Sequence, residues 1–225
     1  MDTHETSGRY KSTDDGKTWT SKNKGIEGTE PFAWRITEND KNGELFLIVC
    51  RRSDDGSIDN DFDGALYRSA DGAESWTRMN LPEGTNGPMS LAIDPENTDR
   101  LLLSAWGRAT HGHFTPDTGG GIFISNDNGA TWKNVLQIDQ HIHDITYDPR
   151  NSTYYACGFG GSAYRSEDRG ETWIRIKGYN FKWGKRVDPD PSDPEKVYIV
   201  TFGGGVWHGP AKGDVNAKED IVNFY

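Results

Sequence analysis

The sequence predicts an all-β chain of short antiparallel strands, and three observations carry that expectation. An eight-residue motif returns four times, an Asp-Pro turn returns three times, and the composition is rich in aromatic residues and Gly. Leu, Ile, Val and Phe make up 40 of 225 residues, about 18%, which with a net charge of −10 falls where disordered chains are found. Eight Trp, nine Tyr and nine Phe decide against disorder, because each aromatic side chain can bury roughly 150–250 Å². A core is within reach if many short segments, punctuated by 27 Gly, share it.

The motif is S-x-D-x-G-x-[TS]-W. Its copies centre on Ser12, Asp14, Gly16 and Trp19; on Ser69, Asp71 and Trp76, with Ala73 in the Gly position; on Ser125, Asp127, Gly129 and Trp132; and on Ser166, Asp168, Gly170 and Trp173. Ser and Asp oxygens bond nearby backbone N–H groups, and Gly supplies a positive φ, so each copy reads as a tight turn with its Trp plugged into the core. A short alternating strand precedes each copy (Arg9–Lys11, Leu66–Arg68, Ile122–Ile124, Ala163–Arg165) and another follows, as in Trp173–Ile176. Every copy is therefore a hairpin turn. The second repeat is Ile93-Asp94-Pro95, Tyr147-Asp148-Pro149 and Val187-Asp188-Pro189, each ahead of an apolar strand, and Asp-Pro is a turn with a mechanism.

The four motif copies are Asp-boxes, or BNR repeats, and the chain resembles the Asp-box β-propellers: sialidases, xyloglucanase-like glycosidases, sortilin-type receptors and a photosystem assembly factor. The resemblance implies four-stranded antiparallel blades in which the box is a structural turn between the third and fourth strands, on the rim away from the ligand face. On that pattern residues 1–211 form a partial propeller with blade segments at 8–22, 32–81, 88–138, 142–179 and 181–211, about three full blades and two partial ones. Residues 212–225 read as a charged C-terminal tail. The family's six to eight blades make this a C-terminal part of a longer protein. The alternatives are a four-bladed ring closed by the two incomplete ends, or two chains that complete one another, since an open wheel leaves an unpaired edge.

Several function classes are set aside by composition. No apolar run nears 18 residues, so no membrane span is expected. An acidic balance of 35 against 25 basic residues, with no Lys/Arg cluster, argues against nucleic acid. Met1 is followed by Asp, Thr, His and Glu, so no signal peptide is expected at this end, whereas the resemblance implies a secreted or periplasmic protein. Cys50 and Cys157 fall in non-neighbouring blades and read as buried thiols.

The candidate site residues lie on the loops opposite the boxes. Arg35, in Phe32-Ala33-Trp34-Arg35-Ile36, resembles the sialidase Arg that grips a substrate carboxylate, with Thr37 where that motif has Pro; a polar ligand contact and an ordinary ion pair are the other readings. Asp59, Asp61, Asp63 and Gly64 match the start of a calcium loop, without the bidentate Glu at position twelve, so calcium stands against a solvated acidic loop and no cofactor is required. Asp55 and Asp144 are the candidate catalytic carboxylates, beside Arg52, because glycoside hydrolysis uses a carboxyl pair. His111, His113, His141 and His143 read as metal ligands, sugar contacts or plain surface. Trp106 and Trp183 offer planes for sugar stacking, with core packing as the equal alternative. The expected function is a carbohydrate-active, glycoside hydrolase-like propeller taking a glycan or polysaccharide; a non-catalytic protein- or ligand-binding propeller is the alternative.

Overall fold

The computed structural model describes residues 9–26, 32–50, 64–85, 87–107, 118–159, 162–181 and 183–218, and among them it contains seventeen strands and no helix. A hairpin pairs β1 (Tyr10–Lys11) with β2 (Thr20–Ser21). Three four-stranded antiparallel sheets follow, each in plain sequence order. The first holds β3 (Phe32–Glu38), β4 (Leu45–Cys50), β5 (Gly64–Ser69) and β6 (Thr77–Met79). The second holds β7 (Gly87–Ile93), β8 (Leu101–Trp106), β9 (Gly121–Ser125) and β10 (Lys133–Leu136). The third holds β11 (Ile142–Asp148), β12 (Thr153–Gly158), β13 (Ser162–Ser166) and β14 (Ile174–Arg175). A three-stranded sheet of β15 (Gly184–Pro189), β16 (Lys196–Thr201) and β17 (Val206–Pro210) completes the set. The expected all-β chain of three complete and two partial blades is what these sheets form.

The repeated motif builds the same turn four times. Each Ser hydroxyl donates to the Asp Oδ1 two residues on, at 2.7–2.8 Å. The backbone N–H of Gly16, Ala73, Gly129 or Gly170 donates to that hydroxyl at 2.8–2.9 Å. The Thr or Ser four residues after the Asp donates twice, its N–H to Oδ1 and its hydroxyl to Oδ2. These bonds, led by the hydroxyl, hold Asp14, Asp71 and Asp127 down to about 2. Two successive residues take the left-handed conformation in every copy, as with Arg169 at φ 61° and Gly170 at 85°, which is why Gly recurs there.

The turn between the first and second strands is built on a different pattern. Asp94 Oδ1 accepts from the N–H groups of Glu96 and Asn97, and Asp190 Oδ1 from those of Ser192 and Asp193. The expectation that Asp188-Pro189 heads the last of these turns is therefore corrected: both residues belong to β15, and Asp190-Pro191 makes the turn. In the first complete blade Asn39 holds the equivalent place, accepting from the Lys41 N–H and pairing its own N–H with Glu44 O.

Because neighbouring residues of a strand face opposite sides, the second strands bury both faces. Leu101 and Leu103 pack with Phe46, Ile48 and Leu66 of the preceding sheet, while Leu102 packs with Ile145, Tyr154 and Ala156 of the following one. Tyr155 and Cys157 then meet Val187, Val197 and Ile199. Each such side chain is worth roughly 1.5–3 kcal/mol when fully buried, so the sheets hold one another. Polar bonds stitch the same boundary: Arg169 Nη2 lies 2.6 Å from Asp94 Oδ2, one sheet away. Trp76 is 4% exposed and reaches back to Lys22 O, and Trp132 reaches back to Asn80 O. Trp19 departs from the core role expected of it; it is 62% exposed, with its indole N–H folded onto Gly16 O. Cys157 is a free, buried thiol, as expected.

Gly170 offers a direct test of the turn. A Cβ there would sit 2.3 Å from Leu102 Cδ2, and Leu102 is fully buried, whereas at Gly16, with a similar φ, the nearest atom is 3.8 Å away. Gly170→Ala is expected to lose on the order of 2–4 kcal/mol in urea unfolding, the backbone cost plus overpacking. Gly16→Ala should lose only about 1 kcal/mol. Equal losses would show that packing between sheets does not constrain the turn.

Candidate functional site

Four inner strands, β3, β7, β11 and β15, carry the site. Aligned on the residue that heads each turn (Asn39, Asp94, Asp148 and Asp190), they read Ala33-Trp34-Arg35-Ile36, Pro88-Met89-Ser90-Leu91, Ile142-His143-Asp144-Ile145 and Gly184-Lys185-Arg186-Val187. Pairing with the second strand slips at the same place in all four, between Ala33 and Arg35, Pro88 and Ser90, Ile142 and Asp144, and Gly184 and Arg186. A bulge re-aims side chains and is a common device beside functional sites. Here it puts Arg35, Ser90, Asp144 and Arg186 at one level of four successive sheets.

These four residues form a single network. Arg35 Nη1 donates to Ser90 Oγ at 3.0 Å and to Asp144 Oδ1. The Ser90 hydroxyl donates to Asp144 Oδ1 at 2.7 Å, and the Ile145 N–H donates to the same oxygen at 2.9 Å. From the other side Arg186 Nε lies 3.4 Å from Asp144 Oδ2 and donates to Asp188 Oδ1 at 2.6 Å. Asp144 is 2% exposed, beneath Arg35 at 30% and Arg186 at 48%. A buried carboxylate is tolerated only when paired and hydrogen-bonded, and two guanidiniums, a hydroxyl and an amide meet that need. Among the described residues Asp144 Oδ2 has no hydrogen-bond partner. Since Asp144 and Asp188 meet the same Nε, those two oxygens lie within about 6 Å of each other, close to the separations that glycoside hydrolysis uses.

An aromatic cluster adjoins the network, where inner strands begin and second strands end. The Trp106 ring lies 4.5 Å from His141, 4.9 Å from His143 and 4.9 Å from Phe159. His143 lies 5.4 Å from Phe202, Phe159 stacks near Trp183 at 6.2 Å, and the Lys185 ammonium sits 5.0 Å over the Phe202 ring. Trp183 and Phe202 remain 44% and 41% exposed. Burial, and next the Lys185 ammonium, push the His143 imidazole down to about 4, against a smaller opposing pull from Asp144.

Of the residues singled out by sequence, the structure brings Arg35 and Asp144 into direct contact and gathers Trp106, His143 and Trp183 into the adjoining cluster. Arg52, Asp55, Asp59, Asp61, Asp63, His111 and His113 lie outside the described residues. Among the described residues no three His, Cys, Asp or Glu side chains stand close enough to hold a metal ion. Ser90, Arg186 and Phe202 were missed, while Phe159 and Lys185 lie in candidate loops, 158–161 and 179–185, without having been singled out. The signal for Ser90, Lys185 and Arg186 was available in the alignment of inner strands, once Asp190 rather than Asp188 is taken as the turn residue.

No family model matches the chain. An oligoxyloglucan-reducing end-specific xyloglucanase of Emericella nidulans is 29% identical over 124 residues, covering 51% of this chain and 14% of the relative. A probable enzyme of the same description from Neosartorya fischeri is 26% identical over 235 residues, covering 96% of this chain and 25% of the relative. The chain thus spans a quarter or less of the length of these curated relatives. Among solved structures, an ancestral GH74 enzyme superposes with a TM-score of 0.68 at 18% identity, over 93% of this chain and 28% of its own. YCF48 from Cyanidioschyzon merolae gives 0.55 at 15% identity, over 92% and 61%. These likenesses show the fold, a β-propeller of four-stranded antiparallel blades.

The lowered His143 value has a measurable consequence. An unfolded His titrates near about 6.5 and the folded one near 4, so between these values the unfolded chain binds more protons and stability rises with pH. Relative to a His143→Phe variant, the protein is expected to lose on the order of 1–2 kcal/mol between pH 7 and pH 5. A constant difference across that range, measured by urea unfolding, would show that His143 is not desolvated.

Proposed function

We propose that this chain is the glycan-holding part of a xyloglucanase-like Asp-box propeller, taking a polysaccharide on the face opposite the repeated turns. The observation that carries the reading is the aromatic cluster of Trp106, Phe159, Trp183 and Phe202 beside hydrogen-bonding groups of the inner strands. Apolar sugar faces cover aromatic planes while their hydroxyls bond to polar neighbours. The xyloglucanase relatives support the same substrate class. Further blades, in a longer chain or a second copy, complete the wheel.

Hydrolysis asks for one carboxyl group that gives a proton and another that attacks or activates water. Asp144 and Asp188 have the proximity, but both sit on Arg186, so the acid–base pair of this reading includes at least one residue beyond them. That same neutralised pair favours the second reading, a non-catalytic binding propeller, of which YCF48 bound to D1 peptide is a structural neighbour.

Calorimetric titration with a xyloglucan oligosaccharide tests the first reading. Binding is expected, and Trp183→Ala should weaken it by about tenfold, the worth of one stacked ring. No heat with the oligosaccharide, or an unchanged affinity in Trp183→Ala, would sink the reading.

A further inference from the structure

We propose that a cavity on the outer rim, between the third sheet and the chain that returns to it after β17, binds a tetrahedral oxyanion, the phosphate or sulfate group of a ligand. Its volume is about 310 Å³, at the lower end of the roughly 300–1,000 Å³ that small-ligand sites span. Arg175, Lys177, Asn180 and Lys218 line it, and among the described residues no Asp or Glu does. In a chain of 35 acidic against 25 basic residues, such a gathering of cations is local. β14 is the outer strand of its sheet, and β11, which carries Asp144, is the inner one. The cavity is therefore separate from the inner-strand network and does not depend on a glycan being held there.

Backbone bonds build both walls. On one side, pairing with β13 continues past β14 through the Ile176 N–H to Ala163 O at 2.8 Å, and Ile176 is 3% exposed. Arg175 and Lys177 flank it in sequence, so they take the opposite face of the strand end together. On the other side, Ala211 is buried with Ile176 and Phe181, and its N–H donates to Glu195 O at 2.8 Å. Gly213 then pairs in parallel with Lys177, and the Asp214 N–H donates to Lys177 O at 2.9 Å. A turn closed by the Ala217 N–H on Asp214 O at 3.1 Å sets Ala217 and Lys218 at the cavity. The fit is close: a Cβ on Gly213, at φ 65°, would lie 2.2 Å from Lys177 O.

The donor set suits an oxyanion with three or four oxygens. Arg175 and Lys177 are each engaged with a neighbour already, but a guanidinium carries five N–H donors and an ammonium three. Arg and Lys both pair with phosphate, the first through a fork and the second as a point charge. Cations supplied by two separate chain segments can meet different oxygens of a tetrahedral group, whereas the two oxygens of a carboxylate share one plane. Arg175 and Lys177 are half-buried, which strengthens their attraction for an anion relative to fully solvated cations. The Tyr179 hydroxyl is committed to Pro210 O at 2.9 Å, so that ring serves as wall.

Amide chemical shifts followed by NMR during titration with inorganic phosphate, and separately with sulfate, test the site at constant ionic strength. Saturable shifts confined to residues 175–180 and 212–218 are expected, with a Kd of about 1 mM or tighter. A preference for phosphate or for sulfate identifies the kind of ester the site reads, and equal response supports recognition of the shared tetrahedral group. Lys177→Gln should weaken binding about tenfold, the size of one lost charge-assisted contact. Gly213→Val keeps all three cations but pushes the returning chain off Lys177, and it should weaken binding by at least as much. Urea unfolding of both variants separates a lost site from a lost fold. Absence of localised shifts with either anion, or the same shifts with chloride, would overturn the proposal. So would an unchanged affinity in folded Lys177→Gln.

Discussion

A sheet that is apolar on both faces is stable only when another sheet covers each face, and the rest of this structure answers to that constraint. The second strands show it most plainly. Leu101 and Leu103 point to one neighbour and Leu102 to the other, and all three are fully buried. The position after the inner-strand bulge shows the effect of cover: Leu91, Ile145 and Val187 are almost entirely buried there, while Ile36, whose sheet follows a two-stranded hairpin among the described residues, is 53% exposed. Trp19 differs from Trp76 for the same reason. Leaving side chains of this size in water forfeits roughly 1.5–3 kcal/mol each.

Stacking of this kind also builds the site. When each sheet repeats the same turns and the same bulge, equivalent residues of successive inner strands come to one level. Side chains far apart in sequence then become neighbours without any loop to carry them. Arg35 and Asp144 are 109 residues apart, and Ser90 bridges them from the sheet between. The energetics favour a fixed arrangement. A carboxylate at 2% exposure would cost several kcal/mol if unpaired, so Arg35 and Arg186 are held by the burial of Asp144 as much as they hold it.

Much of the fold was legible because the repeated turn uses side-chain chemistry at five specified positions, and each of those positions makes its bond in the structure. The Asp-Pro repeat was legible but ambiguous. The stretch Asp188-Pro189-Asp190-Pro191 offers two registers, and only Asp190 keeps the seven-residue step to Val197 that Asp94 keeps to Leu101. Choosing Asp188 displaces β15 by two residues and hides Arg186 from its partners. Asn39 was hidden because an amide replaces the acid. At the site, Arg35, Asp144, Trp106, His143 and Trp183 were visible as residue types in plausible loops, but their association depends on a bulge that no local pattern marks. Phe202 carried no signal, being a single aromatic after a strand, and Phe159 was marked only by its loop.

The central claim is that successive inner strands act as one site through Asp144. A double-mutant cycle on Arg35→Met and Asp144→Asn, read by urea unfolding, tests it most directly. Coupling on the order of 1 kcal/mol is predicted across the intervening sheet, the size expected of residues in one ion-pair network. Additive losses, within the few tenths of a kcal/mol typical of independent sites, would contradict the shared network on which the account of the site rests.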